Sequence, residues 1–527
     1  MNNVNPSALL RSLIVYAICV PLAIIVGWML TNPLDYQSIG FIGILIAVMV
    51  FPLFMKWHYP LLIFCWSFPA TLFFLPGHPN AFLAMVAISL SISVIERILD
   101  KRNAFLPAGG VQWPLFAFLA VIVITAKLTG GFGLRSMGSD VYGGKKYVFL
   151  IVGILSFFAL IARPIPKERA NFYITLYFAG GFFAVISDLY AYTPAPLQFL
   201  YLLFPPSFRT VDLSGHVEVE LGITRLSSVA SAAGAVIFWM LARHGLRGCF
   251  QLGKPWRPLV LAAMTALIFL GGFRSSIVGL AMVMGMLFYL EKLHRTGVMI
   301  VAVAAGLLGG ALLIPLAPHL PFTFQRSLAF LPLNVSTEAR MDAEASTEWR
   351  LEIWQALMPQ IPKYLFLGKG YAFSSETFQE SMGNDATFKR FIDAADNPFA
   401  LAGDFHSGPI SLVLPFGIWA VIVWLWFWVA GFFVVWRNYR YGDPSLRRIN
   451  TFLFTLYVTG CFFFVFIFGD PVNDVGHFCG IIGLSIALNH GICRRPAPAQ
   501  KQNAGALRQA PGNPAFQPKT PFPALQS

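Results

Sequence analysis

The sequence predicts an all-α fold: a polytopic helical membrane protein of about 12–14 transmembrane helices with a large, partly helical loop on one membrane face. Three observations predict it. Of 527 residues, 57% are hydrophobic and only 12% are charged, with a mean hydropathy of +0.67; soluble domains run near 45–50% and about 25%. The apolar residues fall in continuous runs near 20 residues long, the length a helix needs to cross the hydrocarbon core, rather than in the alternation of an outer-membrane barrel. Lys and Arg concentrate in alternate short loops, as they do in cytoplasmic connections. A soluble multidomain enzyme, a disordered chain and a disulfide-stapled secreted module are all excluded.

The elements follow in order. The run 9–30 is read as a first span rather than a cleaved leader, because no small-residue cleavage site follows it. Runs 38–54 and 58–76 are read as two spans broken at Lys56, the second carrying Pro60 and Pro69. Runs 80–97 and 111–127 flank a charged turn with Arg97, Asp100, Lys101 and Arg102. Run 147–163 follows Gly-Gly-Lys-Lys, and 168–189 follows Arg163. An outer region, 190–225, contains a short apolar segment, 196–206, read as interfacial or re-entrant. Then come 226–243, the tight pair 257–273 and 275–291 around Gly271-Gly272, and 297–316. Together 1–316 form the main bundle. A large loop, 317–406, precedes three last spans, 407–436, 450–469 and 474–490. The tail, 491–527, is rich in Pro, Ala and Gln and is expected to be disordered and cytoplasmic. The six cysteines avoid the large outer loops, so no disulfide framework is implied.

With the N-terminus in the cytoplasm, the inner segments hold 23 basic and 5 acidic residues, and the outer ones the remaining 14 basic and 19 acidic. The net charge of +13 is therefore mostly topology, not a nucleic-acid footprint. An even number of spans puts both termini inside.

Arginines on the acidic outer face stand against this bias. Arg225 opens the span after the first outer region. Arg274 sits in the short turn GGFRSS. Arg350 sits in STEWRLEIWQAL, an expected amphipathic helix with Ser346 or Thr347 as its cap and Glu348 in its first turn. Each alone is equally well read as a snorkelling interfacial anchor. Three at one face suggest a bound anion, since guanidinium forks match phosphate oxygens and stay charged. His406, at the mouth of the twelfth span, carries an imidazole suited to a general base or an orienting group; a surface histidine at a helix start is the plainer alternative. Asp404 lies two residues away. Gly368-Lys369-Gly370 lacks the context of a phosphate loop and is read as a turn. Lys145 and Lys146 are read as anchors or as recruiters of an anion. Asp470 and Asp474 are read as a capped turn rather than a metal pair, and no spacing meets the standard of a zinc site.

Four stretches give the chain a resemblance to the O-antigen ligase and polymerase superfamily of bacterial membrane glycan transferases. They are ITRLSSVASAAG (223–234), GGFRSSIVGL (271–280), EWRLEIWQALMPQIPKYLFLGKGY (348–371), and His406 followed after ten residues by Gly417. In the second, Val278 stands where the ligase form has Leu. The resemblance implies a reaction on the periplasmic face of the inner membrane. A glycan on undecaprenyl pyrophosphate is passed to an acceptor hydroxyl: a lipid A–core sugar for a ligase, another carrier-linked unit for a polymerase. It implies no metal, cofactor or nucleotide sugar, and as partners the lipid-linked glycan, an acceptor glycolipid or glycan, and the bilayer. By position, Arg225 and Arg274 would hold the pyrophosphate, Arg350 would assist or brace the loop, and His406 would orient or deprotonate the acceptor. A transporter for the same lipid, the alternative from another class, would call for paired charges within the spans, and the span cores are nearly free of charge.

Overall fold

The structure, a computed structural model, describes residues 36–75, 77–102, 104–133, 141–206, 225–251, 253–374 and 405–495, with scattered positions between 16 and 27. Most of the expected first span, much of the 190–225 region, Asp404 and the tail beyond 495 lie outside the described residues. The protein is an all-α polytopic membrane protein. Among the described residues, eight helices are long and apolar enough to cross a membrane, and three more are apolar but shorter. A two-residue antiparallel pairing of β1 (Val141–Tyr142) with β2 (Phe373–Ser374) accompanies them.

The helices are α1 (Tyr36–Cys65), α2 (Ala81–Leu99), α3 (Gln112–Leu128), α4 (Gly144–Ile161), α5 (Ala170–Phe182), α6 (Ser227–Cys249), α7 (Trp256–Phe269), α8 (Arg274–Leu290), α9 (Val298–Leu316), α10 (Phe322–Leu328), α11 (Thr337–Leu357), α12 (Gly408–Tyr441), α13 (Arg447–Phe466) and α14 (Pro471–Leu488). One sequence expectation is corrected. Runs 38–54 and 58–76 do not form two spans: α1 passes through Pro52 and Pro60 without ending. Prolines are tolerated inside membrane helices, where neighbours and local adjustments satisfy the freed backbone groups. The helix stops at Cys65 because Pro69 disfavours helical geometry just ahead of it, and the chain runs irregularly to Asn80. There the Asn80 side chain accepts from Leu83 N (2.9 Å) and starts α2. Segment 196–206 forms short turns rather than a span, with a single helical turn at Leu200–Leu203.

The core is aromatic and sits among α3, α4, α12, α13 and α14. Trp424 is 1% exposed and stacks on Phe464 at 5.1 Å; Tyr457 and Phe478 pack beside it. Small residues let the helices approach. A side chain at Gly153 of α4 would meet Val475 of α14 at 2.5 Å, and one at Gly483 would meet Leu160 at 2.9 Å. Close approach of this kind drives helix association in lipid, where burial itself gains little. The contrast is α9, the most apolar of the spans, in which no residue is buried.

Helix α12 carries the site at its N-terminus and is broken at Gly417 (φ 72°, ψ −171°). In a continuous helix Ile418 N would donate to Leu414 O. Instead Ile418 N donates to Leu365 O (2.7 Å), Lys369 N to Leu414 O (2.7 Å) and Gly370 N to Pro415 O (2.9 Å). The Gly368-Lys369-Gly370 stretch follows the turn at 365–367, and its backbone serves the break in α12. That exchange ties the large loop to the bundle and sets the direction of the short segment Gly408–Phe416.

Candidate functional site

Helix α11 organises the site. It begins earlier than the sequence suggests. Ser336, not Ser346 or Thr347, caps it, its Oγ accepting from Ala339 N (3.2 Å), and Glu338 rather than Glu348 occupies the first turn. The reason is local: Ala339, Arg340, Met341, Ala343, Glu344 and Ala345 are strong helix formers, so the helix extends back to the next Ser-Thr pair. Gln325 of α10 fixes the start. Its Oε1 accepts from Ser336 N (2.7 Å), while its Nε2 donates to Leu320 O (2.7 Å) at the end of the α9–α10 connection.

Ala339, Ala343, Ile353 and Leu357 form the buried stripe of α11. Arg350 falls in register with it, three and seven residues ahead of Ile353 and Leu357, and is half-buried. The C-terminal half docks on α12. Ile353 and Leu357 pack with Phe405, Ile410 and Leu414, and Trp354 Nε1 donates to Phe405 O (2.9 Å).

Along this one helix the expected residues are brought together. Asp342 Oδ2 accepts from Arg225 Nη2 (2.8 Å) and from Arg326 Nε. Arg326 also donates to Gly272 O in the α7–α8 turn. Arg274, the first residue of α8, donates through Nη2 to Ala343 O (2.8 Å) and Thr347 Oγ1 (2.9 Å). Arg326, Arg350 and Asp342 all lie close enough to act on the Arg274 charge. Further along, the Trp349 ring meets His406 edge-on at 5.2 Å, and the Phe468 ring lies tilted against the imidazole at 5.0 Å. From Asp342 to Arg350 the helix rises about 12 Å.

The arginines are placed by their elements. Arg225 precedes α6, whose first amides Ser228 N and Val229 N are capped from outside by Asp188 Oδ2 (2.7 and 2.9 Å); a carboxylate there also suits the helix dipole. The turn between α7 and α8 is tight because Gly272 takes a left-handed φ of 65°. A side chain on Gly272 would point at Arg225 and Arg326, each 3.8 Å from its first carbon. His406 itself has a φ of 50°. That conformation is uncommon outside glycine, although His tolerates it better than most residues, and strained backbone concentrates at functional positions.

Arg326 and Asp342 are functional candidates that the sequence reading did not single out. Arg326 had a visible signal: a lone cation in the apolar stretch PFTFQRSLAF. Asp342 had none, because one acidic residue among several on α11 acquires its role only from what faces it. Arg225 is 8% exposed and engaged with Asp342, whereas Arg274 and Arg350 are half-buried. Lys146 lies outside this group, its ammonium 5.2 Å from the centre of the Tyr371 ring. Lys145 faces Phe149. Asp470 caps α14 through Val472 N (3.0 Å), and Asp474 accepts from Asp470 N (2.8 Å), the capped turn that the sequence favours.

The arrangement is one carboxylate holding two buried guanidinium groups, two further arginines beside them, and an imidazole packed against Trp349 of the same loop helix and against Phe468. It suits an anionic group next to a site of proton transfer. No curated protein sequence matches the chain. Residues 259–425 match the family model described as O-Antigen ligase. The match spans α7 to the first part of α12 and includes Arg274, Arg326, Asp342, Arg350 and His406; Arg225 lies ahead of it. That match supports a relationship of this segment to the O-antigen ligase superfamily.

Proposed function

We propose that the protein transfers a glycan from undecaprenyl pyrophosphate to a hydroxyl of a lipid A–core sugar, at the membrane face that carries α11. The family supports the coarser statement, a bacterial membrane enzyme of glycosyltransferase-like ligase or polymerase type. The observation that carries the finer one is the convergence on α11: Arg274 bonded to its middle turns, Arg350 on its inward stripe, and His406 packed on its Trp349.

In this reading the acceptor hydroxyl attacks the anomeric carbon, and the bond from that carbon to the pyrophosphate oxygen breaks. His406 takes the hydroxyl proton, which an imidazole can do near neutral pH. Trp349 and Phe468 hold the ring at a fixed angle. Negative charge grows on the departing pyrophosphate, and Arg274 and Arg350 stabilise it as preorganised donors. Arg225 and Arg326, clamped by Asp342, hold the α7–α8 turn and α11 in register so that Arg274 meets the phosphate. An apolar cavity of about 500 Å³ between α7, α8, α9 and α10, lined by Phe269, Met284, Leu313 and Phe324, opens beside this cluster and suits a prenyl chain.

The test is a strain deleted for the gene and complemented with wild type, Arg274→Ala or His406→Ala. Wild type restores polymer on lipid A–core. Both variants leave it absent, with carrier-linked polymer accumulating and membrane levels of the protein unchanged. Single repeat units capping the core in the deletion strain would instead assign the polymerase reaction. Full activity of both variants would overturn the site.

A further inference from the structure

We propose that the opposite end of the bundle holds the phosphate of an anionic phospholipid, in a cavity of about 810 Å³ between the ends of α6, α8, α12 and α13. The two ends are distinct, since α6 begins just after Arg225 and α8 at Arg274, and both finish at this cavity.

The cavity is built by a break in α6. At Gly245 the backbone turns to φ 66° and ψ 172°, a conformation open essentially only to glycine. A side chain there would meet Glu291 Oε1 at 2.6 Å. Beyond the break, Leu246 N donates to Glu291 Oε1 (2.7 Å) and Arg247 N to Oε2 (2.9 Å). The one carboxylate in the lining is therefore engaged through both oxygens with the backbone. Against it stand four cations from three elements: Arg247, Lys292, Arg447 and Arg448. Among the described residues none of the four forms an ion pair. Lys292 is held at φ 60° as it leaves α8, a left-handed conformation that turns the chain back along the rim.

Basic residues at this end also serve topology, but that role needs no cavity and no apolar wall. Here both are present. Leu246, Phe250 and Leu290 line the same space, and so does Val298, the first residue of α9. With no buried residue, α9 leaves this wall open to the lipid phase. Cations at the rim and hydrocarbon at the wall match a phosphodiester with acyl chains. Basic pockets between membrane helices take such headgroups. A soluble phosphate would use the same cations and leave the wall idle.

The measurement is lipid retention by the purified full-length protein in non-ionic detergent, read by native mass spectrometry, with phosphatidylglycerol, phosphatidylcholine and inorganic pyrophosphate as probes. Phosphatidylglycerol is expected to stay bound and phosphatidylcholine not. Arg447→Gln with Arg448→Gln weakens retention roughly 30-fold. Lys292→Gln, on a different element, weakens it in the same direction, and the double Lys replacement of Arg447 and Arg448 restores it. Melting without added lipid checks that each variant is folded. Pyrophosphate displacing the lipid from wild type but bound poorly by the Gln variants would keep the phosphate site and assign a soluble ligand to it. Equal retention of the two lipids, or unchanged retention by folded Gln variants, overturns the proposal.

Discussion

Asp342 Oδ2 receives both Arg225 and Arg326, whose side chains are 7% and 6% exposed. Two guanidinium groups buried this deeply repel one another unless a carboxylate lies between them. Removing one partner of a buried pair costs roughly 3–5 kcal/mol. Asp342 is itself about one-third exposed, so water recovers part of that, and Asp342→Ala is expected to cost on the order of 2 kcal/mol. The expected result is a lowered melting temperature together with lost transfer, and Asp342→Asn should fall between. A variant as stable and as active as wild type would show that the arginines need no clamp. Arg274 calls for a different change. Arg274→Lys keeps the charge but loses the planar guanidinium, whose Nη2 donates to both Ala343 O and Thr347 Oγ1 and leaves its other N–H groups for a phosphate. Transfer should drop by roughly tenfold to a hundredfold with melting unchanged. Activity equal to wild type would mean that a point charge suffices there.

At the scale of the element, the broken helix α12 joins fold to site. A side chain at Gly417 would lie 2.7 Å from Leu365 O and 2.8 Å from Phe366 O, in a backbone region that other residues avoid. Gly417→Ala should therefore lower the melting temperature and displace the segment that holds His406, so that activity falls with it. Gly306→Ala in α9, where nothing lies within 4 Å, is the control and should be neutral or better. Equal melting of the two would remove the argument for the break. The His406-to-Gly417 spacing was visible in the sequence, but its cause was not. The carbonyls freed at Gly417 are satisfied by amides some fifty residues earlier, at Lys369 and Gly370, and periodicity carries no record of such a partner. Continuous apolar runs were legible because lipid imposes length and composition on each span separately. The joining of 38–54 to the start of 58–76 was not, because Lys56 reads as a charged connection between two spans and only the neighbours decide whether the helix runs on through it. The start of α11 was misplaced by ten residues, since Ser336-Thr337 and Ser346-Thr347 offer equivalent caps. The choice rests on Gln325, which accepts from Ser336 N.

At the scale of the whole molecule, the two ends differ in charge and in construction, and under the proposed function that difference decides which substrates the protein can meet. One end gathers Arg225, Arg274, Arg326 and Arg350 around a folded loop. The other carries the excess of Lys and Arg in the short connections, with Arg163 bound to Glu96 and Lys167 to Asp443 (2.6 Å). Basic short connections remain in the cytoplasm, so the α11 end should face the periplasm, where a polymer on its lipid carrier can meet an acceptor made on the inner membrane. Single-cysteine labelling tests this in a background freed of the native cysteines. Met341, 63% exposed on α11, and Lys254, exposed in the α6–α7 connection, are each replaced by Cys. A membrane-impermeant maleimide added to cells with a permeable outer membrane should label Met341→Cys at once. It should label Lys254→Cys only after the inner membrane is opened. The reverse pattern would put the arginines and His406 in the cytoplasm, out of reach of a carrier already flipped, and the proposed reaction would fail even with every residue of the site correctly placed.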